Sequence, residues 1–280
     1  MKKISLFLLI FFTFELSARQ IQEVTFSYWN KPDINIFYST PESIDANTKI
    51  IFIMHGASRT AKKYINDWLP LAKDRNVVLI APEFSKESYP EYIYLMMSTE
   101  KGRRLKNQSL YLNDSLGLIF DIFKSKLKLS TSKYRLYGHS GGSQFVHRYL
   151  LLSEETRIDK AAMANAGFYT FINKKISYPF GIKNMNISDE RIEWFLRLKG
   201  GVFLGGADND PRHKSLPLMR QARKQGRHRL ERGTNFFNDL IKRGVDTQLP
   251  FRWRYQIVPG IAHDNAGMSY AASNFLLEDL

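Results

Sequence analysis

Residues 138 to 142 read Gly-His-Ser-Gly-Gly and directly follow the apolar run Tyr134-Arg135-Leu136-Tyr137. Glycines two residues either side of a serine suit a sharp strand-to-helix turn. Cβ atoms there would clash, and the serine hydroxyl projects into a cleft. A serine hydroxyl is a poor nucleophile at neutral pH. It needs a base, usually histidine, and the base needs an acid to hold its tautomer and stabilise the imidazolium. For a turn of this kind the chain order is Ser, then Asp or Glu, then His. Asp208 follows Gly201-Val202-Phe203-Leu204-Gly205-Gly206-Ala207, and His263 follows Ile257-Val258-Pro259-Gly260-Ile261-Ala262. Ser140, Asp208 and His263 are therefore the expected nucleophile, acid and base. Asp210 stands two residues beyond Asp208 as the alternative acid. Asp208 is preferred because it lies nearer the end of its strand.

The other five histidines have other places. His139 abuts the serine and is geometrically unsuited to be its base. His55 belongs to the loop after an earlier strand, and His147 lies on the helix after the serine in a structural role. His213 and His228 fall in a basic stretch. His263 alone occupies the last strand-to-helix loop. Acyl transfer also needs donors for a developing oxyanion, each worth roughly 2.7–4 kcal/mol of barrier. The expected donors are the backbone N–H groups of Gly141 and of Ala57, with Ser58 as alternative to the latter.

The elements that must position these residues can be read from patterning. Val24–Trp29 and Ile34–Tyr38 are short β-rich runs joined by the turn Lys31-Pro32-Asp33, an antiparallel hairpin. Ile50–Met54 and Val77–Ala81 are continuous apolar runs, as in strands buried on both faces. Further strands are expected at Tyr134–Tyr137, Lys160–Ala164, Gly201–Leu204 and Phe251–Val258. Helices are expected near 60–74, 112–126, 143–152, 229–242 and 266–277. Residues 168–198 carry Pro, Gly and Asn before an amphipathic stretch and could cap a cleft, with Phe168, Tyr169, Phe171, Trp194 and Phe195 as candidate pocket residues. Strand and helix patterns alternate from Ile50 onward, which implies a mostly parallel sheet with helices on both faces. Ligands of such sheets bind beyond the carboxyl ends of the strands. His55, Ser140, Asp208 and His263 all fall there.

The chain has 280 residues, 44% of them hydrophobic, enough for one large α/β domain. Met1-Lys2-Lys3, the apolar Ile4–Phe14 and Leu16-Ser17-Ala18 have the layout of a secretory signal. We therefore expect a signal peptide at 1–18, a single domain at 19–280, and a periplasmic or extracellular protein with no transmembrane span. No cysteine is present, which excludes a thiol nucleophile, disulfides and Cys-ligated metal. No histidine pair has zinc-ligand spacing, and no metal or organic cofactor is expected. The formal net charge is +14. Between Pro211 and Arg232 eight basic residues face one acid, Glu231. That run could contact an anionic surface, although such runs are usually solvated faces. It lacks interleaved aromatics, so nucleic acid is not expected.

His55-Gly56 after a buried strand, Gly-His-Ser-Gly-Gly, Gly205-x-x-Asp208 and Gly260-x-x-His263-Asp264 together resemble the α/β-hydrolase fold. Within it the chain resembles the bacterial secreted esterase and polyhydroxybutyrate-depolymerase-like branch. Pro82-Glu83-Phe84, Asn165-Ala166-Gly167-Phe168-Tyr169-Thr170 and the stretch from Gln225-Gly226-Arg227 to Arg232-Gly233 are also similar to that branch. The resemblance covers roughly residues 45–280 and implies the fold and the triad. Depolymerases of the branch often carry a cysteine where Ala57 stands, and no separate polymer-binding domain follows, which argues against an insoluble polyester. The expected activity is hydrolysis of a small-molecule or oligomeric carboxylic ester. An amidase or peptidase with the same triad, or a non-catalytic module binding through 212–232, are the alternatives.

Overall fold

The computed structural model describes residues 19–280, so the signal segment expected at 1–18 lies outside the described residues. Among the described residues eight strands form one sheet: β1 (Gln22–Phe26), β2 (Ile34–Ser39), β3 (Lys49–Met54), β4 (Val77–Glu83), β5 (Tyr134–His139), β6 (Ile158–Ala164), β7 (Lys199–Gly205) and β8 (Arg254–Val258). Their spatial order is β1-β2-β4-β3-β5-β6-β7-β8. β1 and β2 form the expected antiparallel hairpin, and β2 pairs antiparallel with β4. From β4 through β8 every pairing is parallel.

The helices are α1 (Ala61–Trp68), α2 (Ser115–Lys126), α3 (Gly141–Leu152), α4 (Asp189–Arg197), α5 (Arg220–Arg223), α6 (Arg229–Thr247) and α7 (Asn265–Leu276). The two-residue period of the strands divides the core in two. Ile51, Ile53, Val77, Leu79, Tyr137 and Phe203 face α1 and α7. Ile50, Phe52, Val78, Ile80, Leu136 and Leu204 face α2, α3, α4 and α6. Both faces are covered, which is why these runs are continuously apolar rather than alternating.

Several boundaries differ from the sequence reading, each for a local reason. α1 stops at Trp68; Leu69 still has helical geometry, at φ −54° and ψ −50°, but Pro70 has no N–H to carry the helical bonding further. A single 3-10 turn at Pro70–Ala72 follows. β4 continues through Pro82 to Glu83; its pairing with β3 ends at Ile80, so the proline interrupts no bond on that side. α6 runs on to Thr247 and ends at Gln248, in the left-handed region at φ 54°. The stretch considered as a cap is threaded into the core through Phe168, Tyr169, Tyr178 and Phe180, and its helix α4 packs beside α3 and α6.

Candidate active site

β5 ends at His139 and α3 begins at Gly141, so Ser140 is the single residue of the turn. Its backbone stands at φ 57° and ψ −118°, a region that costs a non-glycine residue about 1–3 kcal/mol. The surroundings enforce that geometry. Ser140 N–H donates to Ala164 O at 2.9 Å. A Cβ built on Gly142 would lie 1.9 Å from Met54 O, and one on Gly138 would lie 2.3 Å from Gly142 O. The first turn of α3 thus sits backbone to backbone on β3, and the two motif glycines make that approach possible.

The structure brings the three expected side chains into one line. Ser140 Oγ is 2.9 Å from His263 Nε2, and His263 Nδ1 is 2.7 Å from Asp208 Oδ2. A carboxylate only accepts, which assigns the proton to Nδ1 and leaves Nε2 to accept from the serine hydroxyl. Asp208 is buried, while Ser140 and His263 are partly exposed at the cleft. Asp210 is exposed, and its carboxylate accepts from Arg212 N–H at 2.8 Å in a local turn. The acid beside the histidine is therefore Asp208.

The loops carrying Asp208 and His263 are fastened to each other. Gly206 N–H donates to Val258 O and Ala207 N–H to Ile261 O, both at 2.9 Å. From the end of β6, Asn165 accepts from Gly205 N–H at 2.8 Å and donates to Ala262 O at 3.2 Å. Asn165 itself stands at φ 49°, a conformation asparagine tolerates better than most residues. Sequence reasoning gave it no role at the site; its position just past a strand end was the available signal.

A Cβ on Gly141 would come 2.8 Å from Ala57 N, which sets the two expected oxyanion donors side by side. As the first residue of α3, Gly141 has an N–H with no intrahelical acceptor. A buried network holds the Ala57 loop. His55 Nδ1 donates to Gly56 O at 2.9 Å, and Nε2 accepts from Phe84 N–H at 3.1 Å. Burial pulls His55 down to about 3, so the ring is neutral, as that donor and acceptor pattern requires. Arg59, at φ 63°, donates to Phe84 O, Tyr89 O and Pro90 O and lies over the Tyr92 ring at 4.6 Å. The Tyr92 hydroxyl closes the loop on His55 O at 3.1 Å.

Two more imidazoles flank His263: the rings of His139 and His213 lie 4.7 Å and 5.4 Å from its own. Burial, then the neighbouring His263, holds His139 well below the usual histidine range. His147 is buried and structural: it bonds Ser143 O through Nδ1 and accepts from Thr170 N–H through Nε2. Of the candidate pocket aromatics, Phe168, Tyr169 and Phe195 are core residues. Phe171 lines a separate cavity with Asn173, Ile176 and Phe180, and Trp194 carries the Arg191 guanidinium over its ring at 3.9 Å.

The basic run is not a uniform surface. Arg212, Lys214, Arg220, Arg223, Lys224 and Arg227 are exposed, but Arg229 and Arg232 are buried. Arg232 donates to Gly226 O, Gly167 O and Pro217 O, and Arg229 reaches Asp208. A two-sided count of charges could not separate these two from their neighbours.

Fold and site together define a hydrolase of the α/β class. The chain belongs to the α/β-hydrolase superfamily, on its esterase and depolymerase-like branch. It is 31% identical to poly(aspartic acid) hydrolase-1 from Sphingomonas sp. KT-1, with a TM-score of 0.85 over 92% of this chain and 98% of that one. LpqC, a poly(3-hydroxybutyrate) depolymerase from Bordetella parapertussis, matches at 22% identity and a TM-score of 0.84, over 95% of this chain and 92% of that one. FphF, a fluorophosphonate-binding serine hydrolase of Staphylococcus aureus, matches at 16% and 0.56, over 91% and 96%. No family model matches the chain, and no curated protein does. Among the described residues no helix is long and apolar enough to cross a membrane.

Proposed function

We propose that the protein is a serine hydrolase that cleaves carboxylic esters through an acyl-enzyme, with Ser140 as nucleophile, His263 as base and Asp208 as acid. The observation that carries this reading is the hydrogen-bonded line from Ser140 Oγ through His263 to Asp208. In the first step His263 Nε2 takes the hydroxyl proton as Ser140 Oγ attacks the acyl carbon. The N–H groups of Ala57 and Gly141 receive the developing oxyanion. His263 then delivers its proton to the leaving alcohol. Water, deprotonated by the same imidazole, releases the acid and restores the serine. Asp208 holds Nδ1–H throughout and stabilises the imidazolium formed in each half-reaction.

An amide substrate is the second reading, and one observation favours it: the 31% identical neighbour is a poly(aspartic acid) hydrolase. A formal net charge of +14 would suit an acidic chain of that kind. The N-terminal pattern supports export, which N-terminal sequencing of the mature protein would check.

The test is a fluorophosphonate probe followed by a substrate panel. Labelling of the wild type, lost in Ser140→Ala, is expected. p-Nitrophenyl esters of rising chain length and hydroxybutyrate oligomers, run beside oligoaspartate, then separate ester from amide. A wild type that takes no label and turns over none of these sinks the enzyme reading and leaves a binding role, which Ser140→Ala would preserve.

A further inference from the structure

Asp208 does not end the line. Its Oδ2 faces His263, but its Oδ1 accepts from Arg229 Nη1 at 3.3 Å. Both partners are almost fully enclosed, at 3% and 1% exposure. A buried carboxylate needs a counter-charge to stay ionised at low cost, and Arg229 is the cation paired with this one. Backbone geometry adds to the hold: Leu230 N–H, in the first turn of α6, donates to Asp208 O at 3.2 Å. The same guanidinium also reaches out of the site. Arg229 Nη2 donates to Ser215 O at 2.7 Å and to Ser215 Oγ at 2.9 Å. Ser215 in turn bonds His213, whose Nδ1 lies 3.1 Å from Ser215 Oγ and whose ring packs edge-on against His263.

Resting on the triad reading above, we propose that Arg229 is a positioning residue for catalysis. It holds the Asp208 carboxylate in register with His263, and it tethers the loop that seats His213 against the same imidazole. Arg229 touches no reacting atom. Its effect passes through Asp208, whose charge matters most when His263 becomes an imidazolium in the transition state. Its loss should therefore lower kcat and leave KM nearly unchanged.

The test measures p-nitrophenyl acetate hydrolysis by wild type, Arg229→Met and Arg229→Lys. Rates are taken per active site titrated with a fluorophosphonate, so unfolded protein does not count. Arg229→Met removes the charge at similar length and is expected to lower kcat about 100-fold, with KM within about threefold. Arg229→Lys keeps a cation but lacks the fork needed to span Asp208 and Ser215. It should recover about tenfold of that loss. A kcat within threefold of wild type in Arg229→Met overturns the proposal, as does an Arg229→Lys no faster than Arg229→Met. If the methionine variant does not fold, Arg229→Lys decides alone: about tenfold slower at unchanged KM supports the role, and wild-type kcat refutes it. A wild type that takes no label at Ser140 is a different failure, because it removes the triad reading on which the proposal rests.

Discussion

Gly142→Ala tests whether the elbow is held by backbone contact rather than by the glycine-rich sequence as such. The new Cβ would lie 1.9 Å from Met54 O, 2.6 Å from Met54 C and 2.9 Å from His55 O. All three are backbone atoms at the end of β3, so no side chain can rotate away. To reach even a 3.0 Å contact the start of α3 must lift from β3 by about 1 Å. Overpacking of that kind costs about 1–3 kcal/mol of stability. The rate effect is more informative. Ser140 and the Gly141 amide ride on the displaced turn, while His263 and Ala57 do not. A displacement of about 1 Å between reacting groups costs about 100-fold, or about 2.7 kcal/mol of barrier. The assay is the second-order rate of fluorophosphonate labelling, with urea unfolding alongside. Gly206→Ala is the milder comparison, since its Cβ would come no nearer than 3.3 Å to Ile257 Cγ2 and Val258 O, a tight contact but not an overlap. Labelling of Gly142→Ala within threefold of wild type would refute the argument that this contact sets the position of the serine.

Three further outcomes follow from the structure. Ser140→Gly and Ser140→Ala both lack the hydroxyl, but only glycine adopts φ 57° freely. The glycine variant should therefore be more stable by about 1 kcal/mol in thermal unfolding, after allowing for its extra chain entropy; an alanine variant of equal or greater stability would remove the case for strain at the elbow. His55, His139 and His147 are buried, and burial depresses all three, His55 to about 3. Below about pH 6.5 the unfolded chain binds protons that the fold refuses. Stability is thus complete above that pH and lost as pH falls toward the folded values, by up to about 1.4 kcal/mol per pH unit for each histidine. Urea midpoints that stay level from about pH 7 to about pH 5 would contradict this. Lys160, at 2% exposure, bonds Glu278 and Asp279 at 3.1 and 3.0 Å near the C-terminus. Glu278→Gln with Asp279→Asn leaves that ammonium without a carboxylate and should cost about 3 kcal/mol in urea unfolding; a loss below about 1 kcal/mol would mean water already serves it.

Much of the fold was legible because the strands are buried on both faces. Continuous apolar runs such as Ile50–Met54 announce themselves, and their alternation with helical patterns dictates a parallel sheet. Element ends were less legible where chain chemistry competes, as at Leu69-Pro70 and at Pro82. The basic run shows the deeper limit. Arg227 and Arg229 are alike in type and adjacent in pattern, yet one is solvated and the other buried beside Asp208. Charge counting treats them as one patch. Arg227 lies ahead of the His228 cap and Arg229 opens α6, and only the packing of that helix start separates them.

The amino-acid order by itself determined the sharp glycine-flanked turn at Ser140 and the order of Ser140, Asp208 and His263 along the chain, each just past a strand. Those follow from local chemistry: glycines where a Cβ cannot fit, and polar residues where apolar runs stop. The tertiary structure decided what depends on distance across the chain. It set Asp208 rather than Asp210 against His263, 55 residues apart, and laid the Ala57 amide beside Gly141. It also drew Arg229 out of a basic run and set it against the second oxygen of Asp208. Hydrogen bonds of about 3 Å are decided by how strands and loops pack, and no spacing along a sequence encodes that separation in space.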